Sequence, residues 1–264
     1  MDATSFRRCR YALIMVSALS AGTAMAQTPA ASPAPPADSP TADAPAETKA
    51  DPWQAQQDRL IVIGDELLKK RQPEAAIREA FDPVIQAHEA RYAGDGTIYF
   101  CSRDPAEALL YLLGVAADHT EGKGGGDARV LRPTWAYGYY GKAYALIELN
   151  RFDEAAAALD RALELSPANP QFLTERGYLY RASREWDKML ASNQAALEHV
   201  ALAPESLRDT ERARALRGAG YALIELDRLD EAERHFRDSL KIEPKNQVAL
   251  GELDYIKQLR KKKP

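Results

Sequence analysis

Residues 144–155 read YALIELNRFDEA and residues 221–232 read YALIELDRLDEA, ten identities in twelve positions across a gap of 77 residues. Each stretch carries apolar residues at helical spacing up to Leu149 or Leu226, then a residue that tolerates a left-handed backbone, Asn150 or Asp227. Acidic pairs follow, Asp153-Glu154 and Asp230-Glu231, where negative charge suits the exposed amides of a new helix. Pro167 and Pro244 then stop that helix. Each stretch is therefore the end of one helix, a tight turn and the start of an antiparallel partner. A lone helix pair cannot hide its apolar face, so neighbouring pairs must stack to close a shared core.

Aligned on these two stretches, the chain resembles the tetratricopeptide-repeat (TPR) family, whose unit of about 34 residues is two antiparallel helices. Residues 136–169 offer Tyr139, Ala143, Leu146, Ala155, Leu159, Ala162 and Pro167 in the family's order, and residues 213–246 offer Leu216, Gly220, Leu223, Ala232, Phe236, Ser239 and Pro244. Between them, residues 170–203 keep Leu173, Gly177, Tyr180 and Ala196 but carry Met189 where a small residue is usual and Ala201 in place of proline. Residues 204–212 are extra and are expected to extend a helix or lengthen a turn. Ala143, Gly177 and Gly220 mark close approaches between the two helices of a pair, and Ala155 and Ala232 are expected to meet that contact from the second helix. The resemblance implies an all-α, TPR-like solenoid over 134–264, with 247–262 as a capping helix.

Upstream, residues 53–133 read as a divergent helical region. Helices are expected over about 53–70 and 74–92, with Gly64 and Ala76 placed as in a further unit but Pro83 at a position where small residues are usual. Tyr99-Phe100-Cys101 reads as extended, Asp104-Pro105 as a helix cap and first turn, and the glycine-rich run 120–127 as a loop. Residues 1–26 have the pattern of a secretory signal: Arg7, Arg8 and Arg10, an apolar stretch from Tyr11 to Ala21, and Ala24-Met25-Ala26 before Gln27. Cleavage is expected after Ala26, which places the mature protein in the periplasm or otherwise outside the cytoplasm. Retention of the segment would tether the same domain to a membrane. Residues 27–52, dominated by Ala, Pro, Ser, Thr and Asp, are expected to be a disordered linker.

The net charge of −4 on 264 residues, −6 once Asp2 and three arginines are removed with the signal, gives no basis for nucleic-acid binding. His88, His119, His199 and His235 form no metal-ligand spacing, and no nucleophile elbow or phosphate loop is present. The expectation is a protein that is not an enzyme and needs no metal or cofactor. Cys101, left alone after cleavage, has no internal disulfide partner. An enzyme site within 93–133 would have only Cys101, Asp104 and His119 to draw on.

The resemblance implies a concave groove lined by Tyr137, Tyr140, Tyr144, Ile147 and Glu148 in one unit, Gln171, Thr174, Tyr178, Arg181 and Ala182 in the next, and Arg214, Arg217, Tyr221, Ile224 and Glu225 in the last. A ladder of Tyr with Arg suits a protein or peptide partner, since both residue types combine contact area with a polar tip. The family's carboxylate-clamp variety uses Asn where this chain has Tyr144, Tyr178 and Tyr221, which disfavours that partner class. The competing expectation is a cell-wall glycan stacked on the same rings, or an accessory role in envelope assembly.

Overall fold

The computed structural model describes residues 51–122 and 126–262. The expected signal segment and nearly all of the expected linker lie outside the described residues, as does part of the glycine-rich run. The chain folds as helices α1 (Pro52–Lys69), α2 (Pro73–Ala76), a π-helical turn (Ile77–Phe81) and α3 (Asp82–Tyr92). Strand β1 (Ile98–Cys101), α4 (Pro105–Thr120) and strand β2 (Ala128–Leu131) follow. Then come α5 (Thr134–Glu148), α6 (Phe152–Leu165), α7 (Pro170–Ala182), α8 (Trp186–His199), a 3-10 turn (Val200–Leu202), α9 (Glu205–Glu225), α10 (Leu229–Ile242) and α11 (Gln247–Lys262). This is the expected stack of antiparallel helix pairs. The extra residues before the last pair lengthen α9 at its N-terminus.

Four helix pairs share one turn. Arg71, Asn150, Arg184 and Asp227 each take φ of 59–60°. In all four the amide of the left-handed residue and the next amide bond back to carbonyls at the end of the preceding helix, as in Asn150 N to Ile147 O (3.0 Å) and Arg151 N to Leu146 O (2.9 Å). The identical turn at Arg71 makes 52–92 a helix pair built like the other three.

The groups nearest the close-approach glycines are larger than alanine. Ala155 and Ala232 are buried, but a Cβ on Gly220 would meet the Phe236 ring at 2.9 Å and one on Gly177 would meet Asn193 at 2.5 Å. Both knobs stand sixteen residues after their glycine. In the first pair sixteen residues beyond Gly64 is Ala80, yet the ring packed on Gly64 belongs to Phe81, whose Cε1 lies 2.4 Å from an added Cβ. The π-turn causes the shift. Asp82 N bonds to Ile77 O, five residues back, so the turn holds one extra residue. Pro83 has no amide to continue the α ladder, and the wide turn accommodates that gap. Val84, fully buried, thereby takes the core position where the sequence places Pro83.

Residues 98–131 add a small β-α-β element to the solenoid. β1 and β2 pair in parallel, with Ile98 opposite Ala128 and Cys101 opposite Leu131. The extended reading of Tyr99-Phe100-Cys101 matches β1; β2 has no forecast in the sequence. Asp104 caps α4 as expected, accepting from Ala106 N at 2.9 Å.

Candidate functional site

The first helices of the four pairs, α1, α5, α7 and α9, end on equivalent turns, so positions counted back from the left-handed residue point the same way. Six residues back stand Asp65, Tyr144, Tyr178 and Tyr221; two back stand Lys69, Glu148, Ala182 and Glu225. This is the face on which the sequence places its groove. The structure divides it into a filled half and an open half.

The filled half holds the N-terminal ends of α5, α7 and α9. Tyr140 is fully buried and stacks on Phe172 (centroids 4.9 Å apart, 20° between planes). Tyr137 meets the same ring edge-on at 5.5 Å and donates to Gln171 Oε1 at 3.2 Å, while Gln171 Nε2 donates to Tyr140 Oη at 3.2 Å. Thr174 is buried and donates to Pro170 O at 2.8 Å. Arg214 is paired with Glu175, and Arg217, also buried, with Glu243 at 2.7 Å. Burial pushes the Tyr140 hydroxyl pKa well up. Tyr140 and Arg217 therefore correct the sequence reading: both are buried, Tyr140 in the packing between pairs and Arg217 in an ion pair with the end of α10 within its own pair.

The β-α-β element closes this half. Arg103 has a side chain only 1% exposed and reaches Glu211 on the N-terminal extension of α9, at 2.6 Å and 3.3 Å. Its backbone amide donates to Glu107 Oε2 at 2.7 Å. Tyr111 donates to Glu107 Oε1 at 2.8 Å and accepts from Ala168 N at 3.1 Å. Ser166 Oγ donates to Cys101 O. Nothing in the spacing of the sequence links Arg103 to Glu211, 108 residues away.

In the open half, Tyr144, Tyr178 and Tyr221 are half-buried, and Glu148 and Glu225 are exposed. Arg181 lies over the Tyr221 ring at 4.1 Å, and Trp186 flanks that ring at 6.1 Å. Tyr144 leans on the cluster containing Ile61 and Leu68. Burial raises the Tyr144 hydroxyl to about 12, so it stays a neutral donor. Partial burial also raises the Glu148 carboxyl, against the pull of Arg71. Aromatic faces, one guanidinium and two carboxylates thus lie together on the open half of this face.

Within 93–133, Cys101, Asp104 and His119 have structural surroundings. Cys101 is fully buried and burial lifts its thiol to about 12, out of reach of thiolate chemistry near neutrality. Asp104 is a helix cap, and His119 Nε2 accepts from Gly126 N at 3.1 Å. Among the described residues no group of three or more His, Cys, Asp or Glu side chains is placed to hold a metal ion.

A TPR-repeat family profile matches residues 131–182 and a second tetratricopeptide-repeat profile matches 206–246. The chain carries tetratricopeptide repeats. Protein bimA of Emericella nidulans is 31% identical over 98 residues, covering 37% of this chain. The match spans 11% of that protein's length. Among solved structures, the first TPR of Spaghetti (RPAP3) bound to HSP90 peptide SRMEEVD is 23% identical, over 47% of this chain and 91% of that one, with a TM-score of 0.42. MamA (41-end) from Desulfovibrio magneticus RS-1 is 14% identical, over 78% of this chain and 85% of that one, with a TM-score of 0.48.

Proposed function

We propose that this protein is a non-catalytic interaction scaffold that holds a peptide or protein segment against the open half of its repeat face. Tyr144, Tyr178 and Tyr221 carry the reading. They occupy one position in the first helices of three successive pairs, they are neither buried nor fully solvated, and Glu148, Arg181 and Glu225 flank them. Packed helices lie about 8–10 Å apart, and an extended chain rises roughly 3.3 Å per residue. A segment laid across the face would thus meet one tyrosine about every third residue. The exposed Glu148 and Glu225, with Arg181 already over Tyr221, argue against an acidic C-terminal tail as the partner.

The test is selection of peptides of about twelve residues from a displayed library, followed by titration against the variant Tyr144→Ala/Tyr178→Ala/Tyr221→Ala. Loss of at least about tenfold in affinity, with helical content retained, is expected for interface anchors. Unchanged affinity in a folded triple variant refutes the assignment of this face. We further infer from residues 1–26 that the protein works outside the cytoplasm, in the periplasm. N-terminal sequencing of the exported chain is expected to begin at Gln27; a cytoplasmic chain that retains Met1 refutes this.

A further inference from the structure

Helix α4 is held on one side only. Glu107, with Arg103, and Tyr111, stacked on Phe100 at 5.1 Å, face the body of the protein. The opposite side carries Leu109 (57% exposed), Leu113 (58%), Leu110 and Leu112 (40% each), with Ala106, Ala116 and Ala117 also exposed. A Cβ added to Gly114 would meet nothing within 4 Å. No charged residue occurs between Glu107 and Asp118. Half-exposed leucines gathered on one helix are a surface awaiting cover, unlike the scattered apolar residues normal on a protein.

We propose that this face pairs with the same face of a second copy, α4 against α4, antiparallel about a two-fold axis. Self-complementarity supports a second copy. An isologous interface must present a pattern that fits its own reverse. The outward stripe runs Ala106, then Leu109 and Leu110, then Leu113, then Ala116 and Ala117: small, large, large, small from either end. Centred between Tyr111 and Leu112, the antiparallel pair sets Leu110 against the second copy's Leu113 and small residues against small ones at both ends. The helices can then approach closely. Antiparallel alignment also brings each negative helix end beside a positive one.

Area sets the strength. A patch of this kind measures on the order of 300–600 Å², so two copies bury roughly 600–1,200 Å² together, at the transient end of specific interfaces. The pairing is therefore a reversible, concentration-dependent dimer. Charge argues against a lipid bilayer as the cover. Residues 104–122 contain Asp104, Glu107, Asp118 and Glu121 and neither lysine nor arginine, the reverse of a helix that settles on anionic headgroups.

Sedimentation equilibrium of the full chain over a concentration series tests this, alongside Leu109→Glu/Leu113→Glu. The expected result is a wild-type mass that climbs toward twice the monomer. The double variant should show a dimer constant weakened by more than about a hundredfold, with far-UV circular dichroism unchanged, because four carboxylates would then face one another. Should that variant lose helix content, Leu110→Cys/Leu113→Cys, which sets a thiol opposite a thiol across the two-fold axis, replaces it under mild oxidation, and a covalent dimer absent from the wild type is expected. A wild type that stays monomeric at hundreds of micromolar overturns the proposal. So does association that a folded double variant retains, the absence of any added cross-link, or co-flotation with phosphatidylglycerol vesicles that L109E/L113E abolishes while both proteins sediment as monomers.

Discussion

Single atoms decide how closely these helices approach. The Phe81 ring is clamped between Gly64 of its own pair and Gly141 of the next, where an added Cβ would stand 2.4 Å and 2.3 Å from Cε1. Asn193 fills the corresponding place between Gly177 and Gly218, and the hydrogen of Gly218 that replaces a Cβ faces Oδ1, which has no conventional hydrogen-bond donor. Gly141→Ala forces either the buried ring or the whole of α5 to move, and a loss of about 1–3 kcal/mol is expected by urea unfolding. A second residue-scale prediction concerns Asp65, which is 5% exposed with one carboxylate oxygen unpartnered. Burial, partly offset by Lys69, raises its pKa from 3.8 to about 6. The folded protein therefore keeps a proton that the unfolded chain has released between about pH 4 and pH 6. Stability falls as pH rises through that window and stays lowered above it. Asp65→Asn is expected to stabilise by about 1–3 kcal/mol at pH 7.5 and to make little difference at pH 4, as read from unfolding midpoints at the two values.

At the scale of the element, two of the four turns were legible in the sequence and the register of the first pair was not. Asn150 and Asp227 announce their left-handed conformation because their side chains tolerate it. Arg71 and Arg184 hold the same φ with no such signal, and only the structure reveals that the pairs at 52–92 and 170–199 use the same turn. Long side chains carry a strain there that glycine does not. Arg71→Gly and Arg184→Gly are each expected to raise stability by about 0.5–1 kcal/mol, a rise of a few degrees in melting temperature, whereas Asn150→Ala should lower it. The misplaced register in the first pair has one cause: a π-turn adds a residue, and residue spacing cannot show a hydrogen bond that skips five positions. Pro83 was its only trace. Asn193 has no sequence signature for a related reason, since a buried amide between two glycines has no pattern of period 3.6. β2 escaped because four residues, Ala-Arg-Val-Leu, are too few to show an alternation.

On the scale of the whole molecule, the repeats and the β-α-β element are locked together by charge in a dry place. The tyrosine face was legible because it repeats with the helices, but the half of it that is filled depends on Arg103 and Glu211, which only the tertiary fold brings together. Arg103 and Glu107 are shut off from solvent and Glu211 nearly so. Their charges are tolerable only as a set, and a buried carboxylate stripped of its cation costs far more than the pair gains over apolar packing. Arg103→Ala is therefore expected to destabilise by about 3–5 kcal/mol. It should also raise amide exchange across 98–131 and around Glu211, while Arg151→Ala, which breaks the exposed pair with Glu154, leaves the unfolding midpoint nearly unchanged. The pH dependence separates a lost ion pair from lost packing. Burial already raises the Glu107 carboxyl against the lowering effect of Arg103. With Arg103 gone, the folded state binds a proton there more tightly than the unfolded chain does, so stability falls as pH rises through the raised value and returns as the solution is acidified. A variant defect that shrinks between pH 7.5 and pH 4.5 is the expected outcome. A defect of constant size would mean that Arg103 serves only to fill space, and that the element is held to the solenoid by its apolar contacts.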